Sequence, residues 1–301
     1  LDNNIASPIL IGRPEVVKRR AADLGLSFDV DTDIELVNPE KDSRFREYWT
    51  HYHQIMGRSG VSPTVAQTIV RGNNSVIAAL MCKRGEVDGF ICGTLGRFEE
   101  HLDVVTSVIG NAPGIQELST ITALILPRGT FFICDSHISH DPSAEELAEM
   151  TLLAAAEVRH FGLEPKVALV SRSQFGSHNY EAAQKMRGAL AILHERAPQM
   201  MVDGEMHADA AISESIRQRS VSDSSLVDSA NLLIMPNVDA AHISVNLLKE
   251  LGGGVAVGPL LIGAAKPVNI LTESASVRGI VNMTAVTAVQ IQEATVHEPS
   301  A

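Results

Sequence analysis

Aromatic side chains are scarce in this sequence. They make up 4% of its 301 residues, with a single tryptophan. The core must therefore be built from Ala, Val, Ile, Leu and Met, a supply that favours closely packed α/β layers over a β-sandwich. Basic residues are also few: 24 Lys and Arg face 36 Asp and Glu, a net charge of -12. That balance lacks the broad positive surface of a general nucleic-acid binder, although it leaves room for a local anion site. Only three cysteines occur, Cys82, Cys92 and Cys134, all in apolar runs and none in a CxxC pair. An odd count without metal spacing suits buried, reduced thiols in a cytoplasmic protein. No run of about 18 apolar residues is present to span a bilayer, and no secretory leader opens the chain. The glycine-rich signatures GxGxxG and GxxxxGK followed by Ser or Thr are missing as well.

What the chain does contain is a globular balance, 45% hydrophobic and 20% charged. Its length suits one large or two ordinary domains. It opens with "LDNNIASPILIGRPE", with almost no lead-in to the first strand, as a domain cut from a longer polypeptide would. Residues 9–12, 34–37 and 89–92 read as short strands, and Pro14 opens the first helix where its missing N–H costs nothing. Helices are expected over 45–57, from Ser62 onward, and over 75–84. Pro127-Arg128-Gly129 between two apolar runs marks a hairpin. Ser143, with Glu145 and Glu146 behind it, opens a helix reaching about His160. Beyond it, "KVALVS", "NLLIMP", "GVAVGPLLIG" and "KPVNIL" read as strands, with helices over 180–197, 239–251 and 276–293. This alternation indicates βαβ units and mainly parallel sheets. Strand spacing changes between the halves, which suggests two α/β domains.

In parallel α/β sheets, ligands bind beyond the carboxyl ends of the strands. Four polar or small-residue segments fall there: 171–177, 203–209, 235–239 and 266–276. In the first, Ser171, Ser173, Gly176 and Ser177 could offer hydroxyl and N–H donors to a phosphate, or form an ordinary polar loop. In the second, Asp203, Glu205, His207 and Asp209 could bind metal or do acid–base work. The alternative is a polar strand end with Asp209 in a helix's first turn. Asp135, His137, His140 and Asp141 lie on a strand exit, where the histidine spacing does not pair metal ligands as a helix would. His51 and His53 face different sides of a helix and read as surface or interface residues. Lys83 and Arg84 complement a helix C-terminus, while Lys266 is either a cleft cation or a solvated loop residue. In "KPVNILTESASVRG" a Ser/Thr-rich helix start follows a strand, as in a phosphate loop, yet it carries the carboxylate of Glu273.

Taken in order, many segments resemble the phosphate acetyltransferase and phosphate butyryltransferase family. They include "PILIGRPEVVKRRAADLGL", "GEVDGFICG", "DPSAEELAEM", "FGLEPKVALVS", "MVDGEMHADAAI", "NLLIMPNVDAAHI" and "GVAVGPLLIGAAKPVNIL". The resemblance spans nearly the whole chain. It implies two α/β domains with mainly parallel sheets, of the phosphotransacetylase and isocitrate-dehydrogenase-like type, separated by a cleft. The first would comprise 1–140 plus 266–301 and the second 141–265, paired into a homodimer or higher homo-oligomer. A coenzyme A thioester would lie in the cleft. Its implied contacts are Ser171, Ser173, Phe175, Gly176, Ser177, Lys185, Asn237, Lys266, Asn269 and Thr272.

The reactive positions depart from the family pattern. Active members read "KPVNDLSRG" where this chain reads "KPVNILTES", so their Ser-Arg pair falls on Thr272 and Glu273. Their following Asp falls on Gly279, an arginine on Asp103, and a cysteine on Ser136. The resemblance thus implies a domain with no catalytic residues left. "FICGTLGRFEEHL" and "RSQFGS" look most like the phosphotransacetylase-like domain that follows the catalytic half of bacterial hybrid malic enzymes. That placement implies acetyl-CoA as a regulatory ligand, with no cofactor or metal in this domain. NADP and Mg or Mn would belong to the N-terminal malic-enzyme half of the same chain. No nucleic-acid or membrane partner is implied. The competing expectations are an active acyltransferase using Thr272, His101 or Ser136, and a purely structural oligomerisation module.

Overall fold

Apolar runs of four to eight residues can bury themselves only by pairing, and here they pair within two separate units. The structure, a computed structural model, describes residues 1–26 and 32–297. Leu1–Ala112 with Ala264–Ala301 form the first unit and Pro113–Gly263 the second.

In the first unit, β1 (Ile9–Ile11) pairs in parallel with β2 (Glu35–Val37), and β3 (Phe90–Gly93) with β10 (Val268–Leu271). The unit also holds helices α1 (Pro14–Asp23), α2 (Phe45–Met56), α3 (Pro63–Gly72), α4 (Asn74–Lys83) and α11 (Val277–His297). Local chemistry sets the starts: Pro14 stands in the first turn of α1, and Ser62 Oγ accepts the Val65 N–H at 3.3 Å. Asn73 caps α4 by accepting the N–H groups of Ser75 and Val76. This helix is apolar on most sides and accordingly buried, from Val76 and Ile77 to Met81 and Cys82. Buried Asn269 donates to Thr287 Oγ1 and Gln290 Oε1, each at 2.9 Å, and so ties β10 to α11. The sequence pattern suggests no element between β3 and the apolar run that opens the hairpin. The structure forms α5 (Phe98–Val104) and a π-helical turn (Val105–Ile109) there, and Val104, Val105, Val108 and Ile109 are buried. Tertiary burial, rather than a capping signal, holds this segment helical.

The second unit carries a six-stranded sheet. In spatial order its strands are β7 (Met201–Met206), β6 (Lys166–Val170), β8 (Leu232–Ile234), β5 (Gly129–Cys134), β4 (Ser119–Leu126) and β9 (Val255–Ile262). The strands β7, β6, β8 and β5 are parallel, whereas β4 is antiparallel to both β5 and β9. The expected hairpin is present, with Leu126 opposite Gly129. These pairings correct the expected domain boundary. Residues 119–134 belong with the second unit because their ladder partners are β8 and β9, so the first crossing falls at 112/113 rather than near 140.

Helices α8 (Ala208–Ile212) and α10 (Val238–Leu251) cover one face of this sheet, where Ala210, Ala211, Ala241 and Val245 pack on Leu124, Ile133, Ala168 and Leu233. On the opposite face Phe132 meets Phe161 edge-on at 5.2 Å, just past the end of α6 (Ala144–His160). Helix α7 (Glu181–Arg196) packs beside α6. The start of α6 is a capping box, in which Ser143 and Glu146 each bond the other's backbone N–H. A short helix, α9 (Glu214–Arg217), was not legible in the sequence. It brings in Arg217, 1% exposed, whose guanidinium donates to the carbonyls of Ala210, Leu226 and Asp228. Cys82, Cys92 and Cys134 are all free thiols, and burial pushes the Cys82 thiol up to about 11. Among the described residues no helix is long and apolar enough to cross a membrane.

The β3–β10 contact depends on Gly93. Its φ is +102°, and a Cβ there would stand 2.1 Å from the Leu271 carbonyl oxygen. Gly93→Ala is therefore expected to lower stability by about 2–4 kcal/mol, measured as a shift of the urea midpoint at unchanged slope.

Candidate functional site

Because β5, β6, β7 and β8 run in parallel, their carboxyl ends share one edge of the second unit's sheet. Three of the four expected ligand-facing segments, 171–177, 203–209 and 235–239, leave from that edge, together with the loop after β5. The fourth, 266–276, flanks β10 in the first unit.

The loop between β6 and α7 is not an open donor set. Ser173 N donates to Ser171 Oγ at 3.1 Å, Gln174 N to Ser177 Oγ at 2.9 Å, and His178 N to Ser173 Oγ at 3.1 Å. Phe175 N donates to the Glu205 carbonyl at 2.7 Å, and Ser177 N to the Gln174 carbonyl at 3.1 Å. The Gly176 N–H and the Ser173 hydroxyl go to Glu205 Oε1, at 3.0 and 2.6 Å. These bonds engage Ser171, Ser173, Gly176 and Ser177 with one another and with a carboxylate, as in the polar-loop alternative. The loop satisfies these amides internally even though Gly176, Ser177 and His178 are exposed. Phe175 has φ +47° and packs its ring against the core between the sheet and α8/α10.

Glu205, at the end of β7, is fully buried and also accepts Arg187 Nη1 at 2.8 Å. Burial opposes its ionisation, but the Ser173 hydroxyl, the Gly176 N–H and the nearby Arg187 charge outweigh that. The carboxyl is held below its usual range. Nothing in the sequence singles out Arg187, since its role depends on α7 crossing beside the end of β7. Elsewhere in the second segment, Asp203 accepts Ser224 Oγ at 2.6 Å and Asp209 sits in the first turn of α8. The imidazole Nε2 of His207 lies 3.0 Å from the Arg172 carbonyl.

A second carboxylate organises the loop after β5. Asp135, 3% exposed, accepts the N–H groups of Thr120, His137 and Ser139 at 3.1, 3.1 and 2.9 Å. It leaves Ser136 buried, with its hydroxyl 2.8 Å from His137 Nδ1, and the His137 and His242 rings meet edge-on at 5.4 Å. Lys185 forms an ion pair with Asp141. Asn237 caps α10, accepting the Ala240 N–H at 2.9 Å. Both residues, expected as ligand contacts, therefore have structural partners.

In the first unit, Lys266 is exposed and Asn269 is turned into the packing between β10 and α11. Thr272 Oγ1 lies 3.0 Å from Ser274 Oγ, and Gly279 N donates to Ser276 Oγ, the cap of α11, at 3.1 Å. Glu273 and Asp103 are both exposed. Of His101, Nε2 lies 2.8 Å from the Leu95 carbonyl and Nδ1 2.9 Å from Ser75 Oγ, so both ring nitrogens are engaged. His51 is held below its usual value by burial and by Arg84 and Lys83, and His53 Nδ1 lies 2.8 Å from the Val61 carbonyl.

Paired parallel βαβ units with polar strand-end loops define an α/β protein of the kind that binds its ligands at strand termini. Known proteins narrow this. The phosphate acetyl/butaryl transferase pattern matches residues 1–288, and the chain belongs to that family. It is 52% identical over 289 residues to an NADP-dependent malic enzyme of Escherichia coli, covering 96% of this chain and 38% of that protein. It is 48% identical over 290 residues to an NAD-dependent malic enzyme of Rhizobium meliloti, with the same two coverages. The chain thus spans well under half the length of these relatives. A phosphotransacetylase structure from Streptococcus pyogenes superposes with a TM-score of 0.87 at 27% identity, over 95% of this chain and 86% of that one.

Two outcomes test these assignments. A carboxylate whose folded pKa is depressed adds stability above its unfolded value and loses it as pH falls through the folded one. The stability advantage of the native chain over Glu205→Gln is therefore expected to shrink as pH drops below about 4.3, read from urea midpoints across an acid series. Asn237→Ala should cost about 1 kcal/mol of folding stability through loss of the α10 cap, with or without added acyl-CoA, in parallel denaturation curves.

Proposed function

We propose that this chain is the acetyl-CoA-sensing domain of a bacterial malic enzyme and that it does not itself transfer acyl groups. The reading rests above all on the turn after β10, where the family's reactive Ser-Arg pair is replaced by Thr272 and an exposed Glu273. An acyl phosphate brings about two negative charges. Arginines clamp such a group bidentately and stabilise the oxyanion of transfer, whereas Glu273 and Asp103 would present carboxylates to it. At an effective dielectric of about 20, two unit charges 4 Å apart repel by about 4 kcal/mol. Losing even one transition-state donor typically costs about 10²- to 10³-fold in rate. A neutral acetyl group meets no such repulsion, so the substitution pattern favours holding a thioester over processing it.

Identity of 52% and 48% to malic enzymes, each over 96% of this chain, supports the wider assignment. The parent protein would carry out oxidative decarboxylation of malate to pyruvate in an N-terminal half that holds NADP and Mg or Mn. It would work in the cytoplasm as a homodimer or larger homo-oligomer. Acetyl-CoA would act by preferring one of two states of the chain. A coupling of about 1–3 kcal/mol would change the enzyme's behaviour roughly 5- to 150-fold.

Calorimetric titration with acetyl-CoA should give saturable binding, and its absence at about millimolar ligand (a binding free energy weaker than about 4 kcal/mol) would overturn the sensing role. Incubated with acetyl-CoA and phosphate, the chain should form no acetyl phosphate. Turnover at an ordinary enzymatic rate, about 1 s⁻¹ or faster, would overturn the loss of catalysis.

A further inference from the structure

The Glu205 carboxylate has no part in the reading above, yet the chain around it is built to hold an anion. Its Oε1 accepts Ser173 Oγ at 2.6 Å, Arg187 Nη1 at 2.8 Å and Gly176 N at 3.0 Å. Ser173 and Glu205 are both fully buried, and Glu205 Oε2 is buried without a hydrogen-bond partner. Arg187 is itself aimed by the His178 carbonyl at 3.2 Å and Asn179 Oδ1 at 2.9 Å. Gly176 reaches the carboxylate from a left-handed conformation, φ +82°. A hydroxyl, a glycine N–H and an oriented guanidinium converging on one oxygen are the donors of an oxyanion site.

We propose that the loop between β6 and α7, together with Arg187, is an anion cradle whose resident anion is the Glu205 side chain. The cradle takes a carboxylate from within the chain and so excludes phosphate from outside. An incoming phosphate would meet a buried like charge and find the loop's donors already spent. Removing the side chain would convert the cradle into a site for a small monocarboxylate. Glu205→Ala deletes two carbons and two oxygens, the heavy atoms of acetate. This inference goes beyond the acetyl-CoA reading and does not depend on it.

The test uses the whole chain and sodium acetate as the probe, with sodium chloride at equal ionic strength as the control. Glu205→Ala takes the shared acceptor from the buried Ser173 hydroxyl, the Gly176 N–H and the half-buried Arg187 guanidinium, so its melting temperature should fall by roughly 10 °C. Acetate should recover several degrees of that loss in the variant and none in the native chain. The amides of Gly176 and His178 should regain hydrogen-exchange protection together with it. Native-like melting of the variant, or equal acetate shifts in both proteins, would overturn the proposal. Inorganic phosphate that protects the Gly176 amide of the native chain would overturn it too. If Glu205→Ala does not fold, Arg187→Gln keeps the carboxylate and removes one donor. Faster exchange at Gly176 and His178 is then expected, and unchanged exchange at both would refute the cradle.

Discussion

The parallel ladder of β5, β8, β6 and β7 is the constraint on which the second unit depends. Parallel strands need crossovers, and the crossovers bury both faces of the sheet under helices. All residues from Val167 to Val170 are buried as a result, and the strand reads as an unbroken apolar run. The same arrangement gathers the loops after β5, β6, β7 and β8 at one edge, the carboxyl ends of these strands, where polar residues from distant parts of the chain meet.

At that edge the protein solves a satisfaction problem with carboxylates. Asp135 gathers the amides of the loop after β5, and Glu205 gathers the hydroxyl, amide and guanidinium around the loop after β6. Both carboxylates are buried, and a buried acceptor left without donors costs more than a made bond adds. Arg172, stacked 4.5 Å over the Tyr180 ring, and His178 remain exposed at this edge.

The first unit is braced by contacts of the same short-range kind. Around β10 the framework is intact: Gly93 lets β3 approach, Asn269 braces α11, and Ser276 caps it. Thr272, Glu273 and Gly279 follow β10 in the turn and at the start of α11, and Glu273 is exposed.

Much of this was legible in the linear chain. Apolar periodicity, Pro14, the Ser143–Glu146 box and the Pro-Arg-Gly hairpin act through neighbours within a few residues, so they located most helices and strands. The ordered motifs pointed to the family, and the charge reversal at Glu273 needed no coordinates. Contacts between distant residues were not legible. Nothing local says that β4 and β5 pair into the second unit, that 98–109 is helical, or that Arg217 is buried. Nor does local sequence reveal that "SRSQFGS" spends its donors on Glu205, about thirty residues away in a strand that only folding brings alongside. Short-range preferences therefore determined most of the elements. Only the tertiary structure decided which polar groups are already satisfied, because hydrogen-bond partners across a sheet edge are set by register and crossover, not by sequence neighbourhood.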